Sequence, residues 1–390
     1  MNFEYIRIPC HIVRGGTSKG IFFRGNDLPA PGPERDALIH RAFGGVDARQ
    51  IDGLGGANSL TSKVAIIESS KRPDADIDYT FGQVSFTRHI IDWRGNCGNI
   101  SSAAALYAVD MGLVPVEEPL TTVRIYNTNT DKLIIAEVPV KNGKTQFIGD
   151  YEINGAPFPG AKILLDFFEP AGSVTGKLLP TGNAKDSIDL GEDGVFEVSI
   201  VDAANPVVFL KAEQLGLSGA ELPVELEARP ELLSKIERIR CIAAEMAGIV
   251  PSANDATAKS PAIPKIGFVS KAQSFVNPNQ KEIQADSIDI TARLCSMQKM
   301  HRAYMVTGAI CTGAASKIKG TVVWEMLDER AKASDTLRIG QPYGPMDVKI
   351  TSKETPDGVY FEKIGVGRTA RMILEGQVFV PANYMDCFQD

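Results

Sequence analysis

The sequence predicts an α+β protein built from two similar halves, and three observations carry that expectation. Short runs rich in Val, Ile, Thr and aromatic residues recur along the whole chain, the composition of half-buried strands. Each half contains one stretch of small apolar residues introduced by a glycine-bearing turn, the pattern of a buried helix. The length, 390 residues, exceeds what one core usually organises and lets each half bury its own interior.

In the first half, strands are expected at Tyr5–Val13, Lys63–Glu68, Val84–Ile91, Thr122–Tyr126 and Leu133–Val140. A helix is expected at Pro33–Ala42, where Pro33 suits the first turn and acidic residues follow it. A second runs from Gly98 to Met111, with Ser101 to Ala108 small and apolar. The polar segment 183–193 reads as the crossover. The second half then offers strands Val195–Val201 and Val207–Leu210 and an amphipathic helix Pro230–Ala247. Leu232, Leu233, Ile236, Ile239 and Ile242/Ala243 share one stripe of that helix. Strands Lys265–Val269 and Ile288–Thr291, a helix at Thr307–Ile318, and strands Val322–Trp324, Met346–Ile350, Val359–Ile364 and Met372–Val380 complete the chain.

Composition narrows the function. The net charge is −7 and no Lys/Arg-rich or basic–aromatic stretch stands out, which argues against a nucleic-acid partner. The N-terminal segment lacks the charged and apolar regions of a signal peptide, and no apolar run is long enough for a membrane span, so a cytoplasmic protein is expected. Six cysteines at 10, 97, 241, 295, 311 and 387 form no CxxC pair, which suits free thiols in a reducing compartment. The four histidines show no metal-ligand spacing, so no metal is expected.

Three segments could carry chemistry. In Asn96-Cys97-Gly98-Asn99, a cysteine stands just before a helix N-terminus, whose oriented N–H groups favour thiolate. An arbitrary cysteine is more often structural, but here Gly98 allows close backbone approach and the flanking asparagines can cap or bind. In residues 50–68, Gly53, Gly55, Gly56, Asn58, Ser59, Thr61 and Ser62 form a turn-rich loop that feeds a strand opened by Lys63. A strand-edge lysine is ordinarily a solvated charge. Turned inward among Val64, Ala65, Ile66 and Ile67, it would favour the free amine that abstracts a carbon-bound proton. Third, Arg14-Gly15-Gly16-Thr17-Ser18-Lys19-Gly20 gathers amides, hydroxyls and cations in one turn, equally a carboxylate receptor or a solvated surface turn. It lacks P-loop spacing. Residues 365–370 match a dinucleotide-binding expression by chance, since no helix–strand unit follows. Arg368 and Arg371 there are either structural or close the substrate site.

Together these segments resemble the diaminopimelate-epimerase-like superfamily, and within it the 2-methylaconitate isomerase (PrpF) family, which includes 4-oxalomesaconate tautomerases and methylitaconate/aconitate Δ-isomerases. The matching stretches are RGGTSKGIFFR (14–24), QIDGLGGANSLTSKVAI (50–66), DWRGNCGN (92–99), LPTGN (179–183), NPVVFL (205–210), SMQKMHRAYMVTGA (296–309) and GRTARMILEG (367–376). The resemblance implies two pseudo-symmetric domains, each a β-barrel-like sheet around a central helix: 1–186, completed by 372–390, and 187–371. It implies a cofactor-free isomerase that moves an allylic proton on an unsaturated di- or tricarboxylic acid such as 2-methylaconitate or aconitate. Lys63 and Cys97 would be its acid–base pair. Arg14, Gly15, Gly16, Thr17, Ser18, Asn58, Ser59, Asn96, Gly98, Asn99, Met305, Thr307, Gly308 and Ala309 would bind substrate, with the amides at Gly98–Asn99 and Thr307–Ala309 holding carboxylates. A homodimer is compatible with the resemblance.

Two departures bear on the reaction. The superfamily's epimerases use two cysteines, but Met305 stands where the second is expected and Cys311 falls inside the helix, which favours isomerisation over racemisation. Gln341-Pro342-Tyr343-Gly344 replaces a His-Pro-Ser-Gly segment common in relatives, a change that could alter the preferred acid. A keto-acid tautomerase and a non-catalytic accessory protein of an aconitase-like dehydratase are the alternatives, separable by an ultraviolet assay of the purified protein alone.

Overall fold

The computed structural model describes residues 4–356 and 358–388, and places no side chain for 387 or 388. Residues 389 and 390 of the segment expected to complete the first domain, and the thiol of Cys387, therefore lie outside the described residues.

In chain order the first elements are β1 (Tyr5–Gly15), β2 (Ser18–Arg24), α1 (Pro33–Ala42), β3 (Lys63–Ser69), β4 (Ile77–Val84), β5 (Ile91–Asp92), α2 (Gly98–Asp110), β6 (Leu120–Asn127), β7 (Lys132–Lys141), β8 (Lys144–Thr145) and β9 (Ile163–Phe168). Next come β10 (Asp186–Asp189), β11 (Val195–Ala203), β12 (Asn205–Lys211), α3 (Pro223–Glu227), α4 (Pro230–Met246), α5 (Ala253–Lys259), β13 (Lys265–Lys271), β14 (Phe275–Val276), β15 (Glu282–Ile283), β16 (Ile290–Ser296) and β17 (Lys299–Met300). The last are α6 (Val306–Ala315), α7 (Val322–Met326), α8 (Glu329–Ala333), β18 (Thr336–Gln341), β19 (Gly344–Thr355), β20 (Gly358–Arg368) and β21 (Ala370–Pro381). The protein is α+β and forms two compact units, Met1–Leu165 with Arg368–Asp390, and Asp166–Gly367. This division falls earlier than the one read at 186/187. The polar crossover segment holds β10, which pairs with β11 and so travels with the second unit.

In the first unit β1 pairs antiparallel with β2, and β2 runs parallel to β3. Antiparallel β3–β4, parallel β4–β6 and antiparallel β6–β7 follow. Strand β21 returns to the free edge of β1. Each parallel pair needs a crossover, and α1 and α2 supply them. Every residue of α2 from Gly98 to Val109 is buried, against β1, β2, β3, β4, β6, β7, β8 and β21. Its run of serine and alanine explains this. A helix apolar on all sides must be enclosed, and only small side chains let strands approach it from so many directions.

The second unit repeats the pairing order: β11–β12 antiparallel, β12–β13 parallel, β13–β16 antiparallel, β16–β18 parallel, β18–β19 antiparallel. Helix α6 takes the place of α2 and is buried along its whole length. Helix α4 lays Ile236, Ile239 and Ala243 onto a core with Val198, Val208 and Phe268, while Leu232, Leu233 and Ile242 flank it half-buried. Each fully buried isoleucine contributes roughly 1.5–3 kcal/mol there.

Two expected strands are corrected. The run Val84–Ile91 is not a strand: β4 ends at Val84, and Ser85 accepts at its Oγ from the amides of Thr87 (3.3 Å) and Arg88 (3.1 Å), closing a tight loop before the short β5. The strand itself lies earlier, at Ile77–Val84. Val322–Trp324 begins a helix instead, because Thr321 Oγ1 caps it by accepting from the Trp324 amide at 3.2 Å, overriding the strand preference of two valines.

Candidate active site

Cys97 is the N-cap residue of α2, extended at φ −121°, ψ 98°, and its thiol is half-buried. Its carbonyl is held from three sides, by the Ser101 amide (2.9 Å), Ser101 Oγ (3.2 Å) and the Tyr79 hydroxyl of β4 (3.4 Å). With the Ser101 bond closing the first helical turn, the amides of Gly98, Asn99 and Ile100 precede the ladder and remain donors for another acceptor. Burial pushes the Tyr79 phenol well above its ordinary pKa, so it stays neutral. Burial likewise raises the thiols of Cys10, Cys241, Cys295 and Cys311, the third to about 12. Cys311 lies wholly inside α6 and donates to the Val201 carbonyl at 3.2 Å.

The Gly15–Ser18 turn between β1 and β2 presses directly on this helix end. A Cβ on Gly15 would stand 2.1 Å from the Asn99 carbonyl oxygen, and one on Gly16, at φ +51°, 2.0 Å from Asn99 Oδ1. Only glycine allows that approach. Asn99 uses it by donating Nδ2 to Thr17 Oγ1 at 3.0 Å, with Ser18 Oγ at 3.5 Å. Arg14 staples the turn from behind, donating Nη1 to the carbonyls of Gly16 (2.8 Å) and Thr369 (3.1 Å). Asn96 is buried beside Ser101, whose Oγ lies 3.5 Å from Asn96 Oδ1.

Lys63 opens β3 and is 7% exposed. It pairs with Gly20 in the parallel register and with Gln83 in the antiparallel one. Its Nζ donates to Gln83 Oε1 at 2.8 Å and lies 5.1 Å from the Phe81 ring centroid. Gln83 is fixed in turn by donating Nε2 to the Ser62 carbonyl at 2.9 Å. Among the described residues no carboxylate lies within ion-pair distance of Lys63. The glycine-rich loop before it wraps Gln50, whose Oε1 accepts from the Ala57 amide (2.8 Å) and Ser62 Oγ (2.6 Å). Asn58 is exposed there and its side chain closes its own turn through Gly56 and Leu60; Ser59 is half-buried.

In the second unit Met305 caps α6 as Cys97 caps α2. Thr307 Oγ1 accepts from Asn205 Nδ2 at 2.9 Å. The Ala309 amide is committed to the Met305 carbonyl at 2.8 Å, so the donors that precede the helical ladder are those of Val306, Thr307 and Gly308. Lys265 opens β13 as Lys63 opens β3 and is equally buried.

Three residues of the first unit's site were not singled out by sequence: Tyr79, Gln83 and Asn129. Asn129 ties β4 to the 92–97 loop, donating Nδ2 to the Phe81 (2.9 Å) and Trp93 (2.5 Å) carbonyls. Position among strands gave the only signal for Gln83, and that requires knowing the register. Arg368, at the end of β20, is 5% exposed and donates Nε to Asn99 Oδ1 at 3.1 Å. Burial lowers its pKa to about 10, still a cation at neutral pH. No described group of three His, Cys, Asp or Glu side chains could hold a metal ion, and no helix of the described residues is long and apolar enough to cross a membrane.

The chain is similar along its length to enzymes of one kind. It is 46% identical over 378 residues to a 3-methylitaconate isomerase of Eubacterium barkeri, covering 97% of this chain and 98% of the relative. It is 38% identical to a 2-methyl-aconitate isomerase of Cupriavidus necator, covering 97% and 98%, and 37% identical to a 4-oxalomesaconate tautomerase of Pseudomonas putida, covering 96% of each. A crystal structure of a methylitaconate-delta-isomerase superimposes with a TM-score of 0.78 at 44% identity, covering 98% of both chains. A hydroxyproline epimerase of Agrobacterium vitis, at 12% identity and a TM-score of 0.55 over 96% of this chain and 93% of that one, shares the fold. The PrpF protein family matches residues 5–381, and the chain is an isomerase of that family.

Proposed function

We propose that this isomerase moves a proton between the two ends of an allylic system in an unsaturated di- or tricarboxylic acid, with Lys63 as base and Cys97 as acid and without a cofactor. The observation that carries the reading is Lys63: a buried lysine whose hydrogen-bond partner is the uncharged Gln83 amide. In its neutral form the amine can donate one N–H to Gln83 and keep its lone pair for the substrate. Lys63 takes the allylic proton, and the C–H electron pair enters the conjugated system as a dienolate. The amides of Gly98 and Asn99, the Thr17 and Ser18 hydroxyls and Asn99 hold the carboxylate that carries this charge. Cys97 then breaks its S–H bond and protonates the far carbon, leaving thiolate, and the Lys63 ammonium restores that proton. Bond rotation within the same anion gives the cis–trans outcome instead. The α6 end, with Thr307 and Gly308, offers the same carboxylate chemistry in the second unit. In this reading each unit is a barrel-like sheet around its central helix, α2 or α6.

The 46% identity to a 3-methylitaconate isomerase favours the double-bond shift. The 37% identity to a 4-oxalomesaconate tautomerase supports a keto-acid tautomerisation, which uses the same pair, as the second reading. Proton NMR in deuterium oxide with methylitaconate, 2-methylaconitate, aconitate and oxalomesaconate tests both. The enzyme is expected to wash deuterium into the allylic position of its substrate, and Lys63→Met to bind that acid without exchange. Exchange by Lys63→Met at the wild-type rate would remove Lys63 as the base.

A further inference from the structure

We propose that Asn129 is a positioning residue for Cys97: its side-chain amide seats the loop that delivers the thiol on the same stretch of β4 that aims Lys63. This rests on the reading of Lys63 as base and Cys97 as acid. The sheet itself creates the need. On its outer edge β4 pairs with β6 from Ile77 to Tyr79 and with β5 at Gln83 and Val84. Phe81 falls in the gap, where an outward backbone N–H and C=O must find other partners. Asn129, half-buried in the β6–β7 turn, takes both: Oδ1 accepts from the Phe81 amide at 2.7 Å and Nδ2 donates to the Phe81 carbonyl at 2.9 Å. Nδ2 also donates to the Trp93 carbonyl at 2.5 Å. One side chain thus stands in for a strand residue and carries the pairing from β4 to the 92–97 loop. The amide cannot be turned over, because Oδ1 also accepts from Asn127 Nδ2 at 3.1 Å and a reversed amide would set N–H groups against two donors.

The ring of Trp93 already lies against β4, since a Cβ on Gly82 would stand 2.7 Å from Trp93 Cζ3, and its Nε1 donates to Asp36 Oδ2 of α1 at 3.2 Å. Those contacts fix the ring but let the backbone swivel about it. The bond from Asn129 to the carbonyl removes that freedom and sets the direction in which residues 94–96 leave. Further along, Cys97 is tied back to the same strand by the Tyr79 hydroxyl, 3.4 Å from its carbonyl. The loop therefore hangs from β4 at both ends, while Gln83 of that strand holds Lys63 Nζ at 2.8 Å. Strand β4 sets the places of acid and base together, and Asn129 is the clamp at the acid's end. A misplacement of about 1 Å can cost on the order of a hundredfold in rate. A loosened clamp should be felt where Cys97 gives its proton, and much less at Lys63, whose bond to Gln83 does not involve Asn129.

Asn129→Asp tests this, because the carboxylate keeps the acceptor for Phe81 but turns an oxygen towards the two carbonyls that Nδ2 served. Proton NMR in deuterium oxide reads two rates on one substrate: deuterium wash-in, which needs Lys63, and net isomerisation, which also needs Cys97. Isomerisation is expected to fall about tenfold or more, with wash-in held within about threefold and KM within about twofold of wild type. A wild-type ratio of the two rates in the folded variant, whether both hold or both fall, would overturn the proposal. If circular dichroism shows that Asn129→Asp does not fold, Asn129→Ser, too short to reach both carbonyls, is read in the same way. If neither folds, Asn129 is a structural residue and the proposal fails. A substrate-free arm uses Trp324→Phe to leave Trp93 as the only tryptophan. Adding Asn129→Asp to it should raise acrylamide quenching of the Trp93 fluorescence about twofold, and unchanged quenching would overturn the clamp as well. A wild-type protein inactive on every unsaturated acid, with that rise in quenching, would sink the proposed function and leave the hold of Asn129 on the loop standing.

Discussion

Gly16→Ala measures how tightly the β1–β2 turn is pressed onto the first turn of α2. Gly16 sits at φ +51°, where an L-residue costs about 1–2 kcal/mol, and its new Cβ would meet Asn99 Oδ1 at 2.0 Å and Asn99 Cγ at 2.8 Å. The Asn99 side chain must swing away. That forfeits the hydrogen bond to Thr17, worth about 1 kcal/mol, and the charge-assisted one from Arg368, worth about 2 kcal/mol. The total is about 4–5 kcal/mol. Gly45→Ala is the control, because Gly45 has φ +69° and an added Cβ there would meet nothing within 4 Å, so it reports backbone strain alone. At roughly 3 °C per kcal/mol for a unit of this size, the melting temperature should drop by about 3–6 °C in Gly45→Ala and about 12–15 °C in Gly16→Ala. Differential scanning calorimetry reads both, and turnover of Gly16→Ala should fall as well. Equal drops in the two variants would mean that the turn does not bear on Asn99, and the geometry argued for the carboxylate receptor would fail with it.

Gln83→Leu should cut turnover about tenfold or more while binding changes little, because Lys63 loses the acceptor that aims it; steady-state kinetics with unchanged kcat would refute that role. Cys10→Ala and Cys311→Ala should keep wild-type kinetics. Cys311→Ala should lose about 1 kcal/mol of stability with its bond to Val201, and abolished catalysis in that folded variant would restore a two-cysteine mechanism. Asp289 accepts from Arg330 (2.6 Å) and from Arg338 Nη2 (2.7 Å); burial pushes its pKa up, but the hydrogen bonds and charge of Arg338, with the bond from Arg330, together hold it below the usual carboxylate value. A depressed folded-state pKa stabilises the fold above the unfolded value of about 3.9, and that stability is lost as pH falls through the folded-state pKa. Asp289→Asn should therefore unfold at lower urea concentration than wild type at pH 6, with the gap closing towards pH 2; a gap that persists in acid would assign the effect to something other than charge.

Much of the site was legible because its signals are local. Gly15 and Gly16, the asparagines around Cys97, and the Ser–Ala run of α2 each announce a turn, a cap or an enclosed helix within a few residues of one another. The stripe of α4 was legible for the same reason: its periodicity is contained in the helix. Where local signals competed, they misled. Val322 and Val323 read as strand, but one threonine hydroxyl committed the segment to helix. The Ser85 loop interrupted a run that composition alone joined into a strand.

From the sequence itself came the α+β class, the two-part organisation, and the identities of Cys97, Lys63 and the glycine turn as candidates for chemistry. Tertiary structure decided that Lys63 is buried, that Gln83 faces it across the β3–β4 register, and that Arg368 joins Asn99 across 269 residues of chain. It also decided that the two units share one order of strand pairing, which sets Met305 and Lys265 at the places held by Cys97 and Lys63. The physical reason is range. Turn, cap and helix preferences act over a handful of neighbouring residues, whereas parallel pairing and a buried cation's partner depend on which distant strands the core brings side by side.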